Sequence, residues 1–416
     1  MDKKTPEAID LKAETSLDPD IRFQHPVSGN PADPEAIFLT GATGFFGVYL
    51  LDELLRKTKA DIYCLVRCKG EAESGRQRLE QNMSHYSLWR EEFASRIIPV
   101  PGDLSQPMIG LSDRQFSELG ERLDVIYHNG AWVNAIYPYT ALKGANVDGT
   151  REVLRLAGLA RTKPLHFIST IAVFFSESFN GNKRKILETD IPGPNLKGGY
   201  KQSKWVAENL VTDARDRGLP ACIFRTSRLM GHSKTGIIHN FKDLAINLLK
   251  ACILMKKCPD LKTTLSLVPA DYASQGIVHL SRQEKSAGKA FHIVNPHPVT
   301  WERLFEEIRS LGYPLEELPF DCWRSELRRA SSGSQRSRLY SVLRFVLNSP
   351  NFLADEKPGF DISHTLEGLA GTSIACPRVD RELVAAWFSF FQKCGYIPAP
   401  GKEQIKTSEV SETSEV

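Results

Sequence analysis

The sequence predicts an α/β protein: a doubly wound parallel sheet with a smaller, mainly helical C-terminal subdomain. Strand-like apolar runs alternate with helix-period stretches as far as Met230. A glycine-rich turn joins the first such run to the helix after it, in "IFLTGATGFFGVYLLDELL". Beyond Gly231 the alternation stops, and from Pro296 to about Pro400 the pattern is helical with long irregular connections.

The elements follow in order. Residues 1–32 are polar and rich in Pro and Asp, which predicts a lead-in segment on the surface. "AIFLT" reads as the first strand, with a helix from about Phe45; "DIYCLV" is the second, with a helix containing Arg76 to Met83. "RIIPV" and "DVIYH" come next, then a helix over Tyr139 to Ala160, "LHFIST", a helix from Gly199 to about Arg217, and "ACIFR". Parallel strands with crossover helices account for this order. The sheet domain is expected over 33–230, with a return segment at 264–295 carrying "VPADYAS" and "KAFHIVN". Residues 231–263 and 296–400 are expected to form the substrate-facing subdomain, and 401–416, ending "TSEVSETSEV", a disordered tail.

The chain has 416 residues, 41% hydrophobic and 25% charged, as in ordinary globular enzymes. Its 53 basic and 50 acidic side chains leave a net charge of +3, with no footprint for nucleic acid. The eight cysteines form no CxxC pair or zinc-type cluster, so no metal is expected; Cys64 and Cys222 fall in strand-like runs and read as core residues. The charged N-terminus lacks the apolar stretch of a secretory leader. The most lipophilic stretch, Leu244 to Met255, is interrupted by Asn247 and Lys250 and is too short to span a bilayer. A reducing, cytoplasmic setting without an integral membrane segment is the expectation. Oligomeric state leaves no signal.

Glycines 41, 44 and 47 sit where a strand passes directly into a helix. This is the dinucleotide-binding turn of a Rossmann-type sheet, in its GxxGxxG spacing. Gly41 allows the sharp turn, Gly44 lets backbone N–H groups approach a pyrophosphate, and Gly47 lets the helix pack close. Thr43, Phe45 and Phe46 complete the turn, although both phenylalanines also read as packing residues. An NAD site wants an acidic residue at the end of the second strand, whereas this chain has Arg67 in "LVRC". A guanidinium there pairs bidentately with a 2′-phosphate, and Arg78 on the next helix can close over it, which predicts NADPH. In "GDLS", Asp103 and its neighbour Leu104 are expected beside the adenine; in "HNGAWVN", Asn129, Gly130 and Ala131 are expected to let the cofactor pass closely. His128 reads as a structural strand-end residue.

"GGYKQSKWVAENL" puts Tyr200 and Lys204 at i and i+4, on one helix face after the fifth strand. A phenol is a poor proton donor or acceptor near neutrality, so a neighbouring ammonium is expected to lower its pKa. Thr170, ending "LHFIST", is expected to hydrogen-bond a substrate carbonyl beside Tyr200. Together these residues predict hydride transfer to a carbonyl.

The motifs "FLTGATGFFGVYLLDELL", "YCLVR", "VPGDLSQPMIGLS", "VIYHNGAWVNAIYPYTALKGANVDGTREVLRLA", "LHFIST", "YKQSKWVAE" and "VPADYAS" run through nearly the whole chain. With them the sequence resembles the thioester reductase family, extended short-chain dehydrogenase/reductases that include terminal reductase domains of nonribosomal peptide and polyketide synthetases and of carboxylic acid reductases. The resemblance implies Thr170, Tyr200 and Lys204 as the catalytic group, and Arg67 and Arg78 at the 2′-phosphate. It also implies an acyl or peptidyl thioester, carried on the phosphopantetheine arm of an acyl or peptidyl carrier protein, reduced to an aldehyde or onward to an alcohol. The chain departs from the family where "FRTSRLMG" puts Thr226 and Ser227 in place of the usual Pro-Gly, and where "VPADYAS" has Ala270 and Ala273 in place of Val. Three other readings share parts of the pattern: a fatty acyl reductase at a membrane surface, with 244–255 as its interfacial helix; a sugar-nucleotide epimerase or dehydratase; and a non-catalytic dinucleotide-binding module.

Overall fold

The computed structural model describes residues 10–68, 72–176, 184–331 and 358–401. The disordered-tail expectation for 402–416, the first nine residues of the lead-in and most of the Ser/Arg-rich stretch after Ser331 lie outside the described residues.

The sheet grows from strands that are apolar on both faces. Strand β1 (Ala36–Thr40) is buried at every position, as a parallel strand covered on both sides must be. It pairs in parallel with β2 (Asp61–Val66) on one side and β4 (Val125–His128) on the other. Beyond β2 lies β3 (Ile97–Pro101); beyond β4 lie β5 (Leu165–Thr170), β6 (Ala221–Thr226) and a later strand, Ala290–Ile293. The chain therefore winds one way from β1 to β3 and the other way from β4 outward. The reversal between β1 and β4 is the switch point where such sheets bind ligands, at the carboxyl ends of the strands.

The crossover helices are α1 (Phe45–Lys57), α2 (Ala72–His85) and α3 (Asp113–Arg122), then a longer helical run from Tyr139 to Gly158, and a helix from Gly199 to Asp216. Helix α3 starts on a capping box, with Ser112 and Gln115 satisfying each other's backbone. The run from Tyr139 loosens into a π turn over Gly144–Asp148 before resuming.

Two compact units emerge. Described residues within 1–230, 266–296 and 356–376 form the first, and those within 231–265, 297–355 and 377–416 the second. Two points differ from the expectation. Leu17, Ile21 and Phe23 of the lead-in are buried in the sheet unit's core, so this segment is no mere surface wrapping. The stretch 358–376, expected in the substrate subdomain, packs on the sheet unit. Its Phe360 bridges to Ile186, and Glu188 is buried against the helix Ser363–Leu369. The Glu188 carboxylate accepts from His364 N at 2.5 Å, Thr365 Oγ1 at 2.8 Å and His292 N at 2.8 Å. A carboxylate receiving several donors fixes where that helix begins.

The second unit holds the helices Leu244–Met255, Trp301–Ser310, Phe320–Ser331 and Arg381–Lys393 around a core containing Trp323, Trp387 and Phe391. No residue of Leu244–Met255 is exposed. Its Asn247 caps the Phe241 carbonyl and its Lys250 ammonium lies 4.0 Å from the Tyr396 ring centre. An embedded helix has no apolar face to offer a lipid surface, which removes the basis of the membrane-surface reading. Among the described residues no helix is long and apolar enough to cross a membrane, and no group of three His, Cys, Asp or Glu side chains is arranged to hold a metal ion.

Candidate active site

The glycine turn follows β1 at the switch point. Gly41 has φ +74°, and a Cβ there would lie 2.7 Å from the Cα of Gly130, so its backbone and its contact both demand glycine. A Cβ on Gly47 would fall 1.8 Å from the Gly41 carbonyl oxygen, which ties the first turn of α1 against the end of β1. Gly44 is exposed at the tip and caps α1 without a side chain; no acidic residue stands in that first turn. The positive end of the helix dipole is thus left facing outward, as an anion-binding turn requires. Thr43 is partly exposed beside it. Phe46 is buried, and the Phe45 ring packs against Tyr49 at 6.0 Å and Tyr86 at 6.3 Å, so both pack on the protein itself.

The opposite wall comes from the ends of β3 and β4. Asn129 and Ala131 are partly exposed, and Asn129 Nδ2 reaches the Gly41 carbonyl at 3.4 Å. Gly130 is buried, with Leu104 so close that a Cβ would sit 2.6 Å from its Cδ1. Asp103 spends Oδ1 on the amide and hydroxyl of Ser105, both at 2.8 Å. It can meet an adenine amino group only through its other oxygen.

His128 fixes this wall. Thr150 Oγ1 donates to the Asn146 carbonyl at 2.7 Å, so His128 Nε2 must donate to Thr150, at 2.9 Å. Nδ1 then accepts from Thr40 Oγ1 at 2.8 Å, and Thr40 Oγ1 accepts from Gly130 N at 2.8 Å. Burial, assisted by the Lys204 charge, holds the imidazole neutral, pushed down to about 3. His128 is therefore a one-directional relay that positions Gly130.

At the end of β2, Arg67 is exposed and Arg78 of α2 donates to its carbonyl at 2.6 Å. Among the described residues neither guanidinium forms an ion pair. Burial and the neighbouring Arg67 charge both lower the Arg78 pKa. Two like charges beside a dinucleotide turn, without an ion-pair partner among the described residues, favour a bound anion.

The helix from Gly199 sets Tyr200, Lys204 and Glu208 on one face. Lys204 is buried and its ammonium donates to the Ile168 carbonyl at 2.8 Å, two residues before Thr170. Thr170 and Tyr200 both keep partial exposure, and Thr170 Oγ1 accepts from Ala172 N at 3.2 Å. Burial pushes the Tyr200 phenol up to about 12 and the Lys204 ammonium down to about 7. The phenol is thus raised rather than lowered, and burial is the cause. A protonated phenol is a proton donor, and donation is what reduction of a carbonyl needs.

Several further residues, given no role by the sequence, support this edge. Glu208 receives the Ser169 hydroxyl at 2.5 Å and pairs with Arg225 at 2.8 Å, holding the end of β5 on the helix. In the π turn, Asn146 accepts from Trp132 N at 2.6 Å, donates to Trp132 O at 3.1 Å and donates to Ser203 Oγ at 2.9 Å. Ser203 in turn donates to the Tyr200 carbonyl at 2.9 Å. Glu208 had a signal in the sequence, since it continues the Tyr200–Lys204 face by one more turn. Asn146 had only its polarity within an apolar helix pattern. Thr226 and Ser227 are buried, and Ser227 Oγ donates to the Ser266 carbonyl at 3.0 Å.

Residues 39–277 match the NAD-binding family model described as "Male sterility protein". The chain is 41% identical over 94% of its length to a linear gramicidin synthase protein of Brevibacillus parabrevis, and 36% identical over 95% to an isonitrile lipopeptide synthase of Streptomyces coeruleorubidus. It spans only 8% and 27% of those two proteins. A solved structure described as the terminal R domain from the myxalamid PKS-NRPS biosynthetic pathway shares 44% identity and a TM-score of 0.89, over 94% of this chain and 98% of that one. The glycine turn, the clearance at Gly130 and the outward-facing N-terminus of α1 fit the nicotinamide dinucleotide that the family model implies. The chain belongs to this NAD-binding family of extended short-chain dehydrogenase/reductases, among the terminal reductase domains of nonribosomal peptide and polyketide synthases.

Proposed function

We propose that the protein uses NADPH to release an acyl or peptidyl group reductively from the phosphopantetheine thioester of a carrier protein, giving an aldehyde. The observation that carries this is the buried Lys204 ammonium, one helical turn after Tyr200 and anchored on the Ile168 carbonyl just before Thr170. It supports one carbonyl-binding edge built from the end of β5 and the first turn of the next helix. The cofactor, when bound, supplies a hydride to the thioester carbon.

The chain's own residues supply the rest. The Thr170 and Tyr200 hydroxyls hold the carbonyl oxygen, and Tyr200 gives it a proton as charge develops. Lys204 stabilises the phenolate left behind. Hydride and proton together convert the thioester to a thiohemiacetal, whose collapse breaks the C–S bond and leaves the aldehyde and the free thiol. Arg67 and Arg78, two neighbouring guanidinium groups at the end of β2, favour NADPH over NADH. The described residues within 231–265, 297–355 and 377–401 are assigned the substrate- and carrier-facing role.

The test is to mix the protein with NADPH and an acyl-pantetheine thioester and to follow nicotinamide absorbance and free thiol together. Equal amounts of thiol released and NADPH consumed support the reading. Cofactor binding without consumption would instead make the chain a dinucleotide-binding module.

A further inference from the structure

We infer that the loop Trp132–Tyr137 is an apolar wall that binds the acyl group of the thioester, so that the protein selects long-chain or aromatic acyl groups over short ones. This rests on the thioester reading above and names the part of the substrate that the loop recognises.

Among the described residues, eight large apolar side chains are strongly exposed, and four of them fall within this one loop. Trp132, Val133, Ile136 and Tyr137 are between 43% and 69% exposed, whereas Tyr139, two residues beyond the loop, is buried. The exposure is not the result of a slack backbone. Both polar backbone atoms of Trp132 are held by the buried Asn146. Asn134 Oδ1 accepts from Ile136 N at 2.9 Å and from Tyr137 N at 3.0 Å. The Trp132 and Tyr137 rings meet edge to face at 5.4 Å. A loop held this firmly, yet presenting its apolar side chains outward, is built to meet an apolar ligand.

Its position identifies the ligand. The loop leaves β4 directly after the cofactor wall at Asn129–Ala131. Its far end presses on the catalytic helix: a Cβ at Gly199 would lie 2.5 Å from the Tyr137 carbonyl oxygen and 2.4 Å from the carbonyl carbon of Pro138. Asn146 links the near end to the same helix through Ser203, which bonds the Tyr200 carbonyl. The wall is thus fastened at both ends to the helix carrying Tyr200, whose phenol the proposed reaction sets on the thioester carbonyl. Four partly exposed side chains offer on the order of a few hundred Å². That suits an acyl chain and falls well short of the ~800 Å² per partner of a stable protein interface.

The test uses pantetheine thioethers, which cannot be reduced, so that binding is measured apart from turnover. Calorimetry with S-decyl- and S-ethyl-pantetheine should show tighter binding of the decyl compound by the wild-type protein. Trp132→Ala should weaken decyl binding about tenfold, as ~50 Å² of apolar contact accounts for, and leave ethyl binding within about twofold. Trp132→Phe should restore most of the loss, and unchanged melting temperatures show that the variants fold. Unaltered decyl binding in Trp132→Ala, or equal losses for both compounds, overturns the inference. Decanoyl-pantetheine turnover with NADPH is run beside it. Trp132-dependent decyl binding without any reduction would sink the reductase reading and keep the wall; reduction with no Trp132 dependence of binding would do the reverse.

Discussion

The ammonium of Lys204 donates to the backbone carbonyl of Ile168 at 2.8 Å and lies 4.0 Å from the centre of the Phe167 ring. One side chain thereby joins the helix Gly199–Asp216 to β5, and it does so in a buried setting that weakens its own charge. Burial brings its pKa down to about 7 from 10.5, with Glu208 opposing the shift.

A pH dependence follows with a definite sign. The ammonium is present below about pH 7 and lost above it, so the support for a developing Tyr200 phenolate fades as pH rises. The reductive kcat/KM is expected to fall from about pH 7 upward, and the fall should vanish in Lys204→Met, whose residual rate is about 10²- to 10³-fold lower. A profile for the wild-type protein that stays flat between about pH 6 and 9 contradicts this. The same shift enters stability. Between about 7 and 10.5 the unfolded chain binds a proton at Lys204 that the folded chain does not, so stability rises with pH across that window. Lys204→Met should therefore melt higher than wild type at about pH 6, with the gap closing toward about pH 10.

Tyr200→Phe removes only the hydroxyl of a ring that keeps partial exposure. Turnover should drop about 10²- to 10⁴-fold, while the dissociation constant for NADPH stays within about twofold. Activity near wild type would mean that another group gives the proton.

Arg67→Ala tests the cofactor assignment. Losing a bidentate charge-assisted contact should raise the KM for NADPH about 10- to 100-fold and leave that for NADH nearly unchanged. Arg78→Ala should act in the same direction and more weakly, because its guanidinium already spends a donor on the Arg67 carbonyl. Parallel losses for both cofactors would rule out a 2′-phosphate site at the end of β2.

Glu188→Gln places an amide NH₂ where a buried carboxylate now receives His292 N, His364 N and the Thr365 hydroxyl. Donors would then face donors. A loss of about 2–3 kcal/mol in unfolding free energy is expected. A chemical denaturation midpoint equal to that of wild type would show that the segment 358–376 is held by other contacts.

The sheet was legible because parallel strands buried on both faces must be apolar throughout, and "AIFLT", "DIYCLV" and "ACIFRT" are nearly so. The glycine turn was legible because two of its positions leave no room for any other residue. Local patterns of this kind stop where partners come from distant segments. Nothing in "ILETD" announces that Glu188 will meet residues 292, 364 and 365, which is why 358–376 was assigned to the wrong unit. The burial of Leu17, Ile21 and Phe23 was hidden by the polar residues around them. The Tyr200–Lys204 pair could be read from its spacing, but the direction of the phenol's shift could not, because it depends on how deeply folding encloses the ring. Asn146 was invisible for a related reason: its partners Trp132 and Ser203 come from either side of it in the chain, and only the π turn aims its amide between them.

Reduction with NADPH deuterated at its transferable hydrogen, followed by mass analysis of the product from an acyl-pantetheine thioester, probes the hydride step itself. The expected product is an aldehyde carrying one deuterium on the former thioester carbon, formed by the wild-type protein and at least about 10²-fold more slowly by Tyr200→Phe. Release of unlabelled carboxylic acid, or of labelled aldehyde at equal rates from both proteins, would contradict hydride delivery by the cofactor and proton donation by Tyr200.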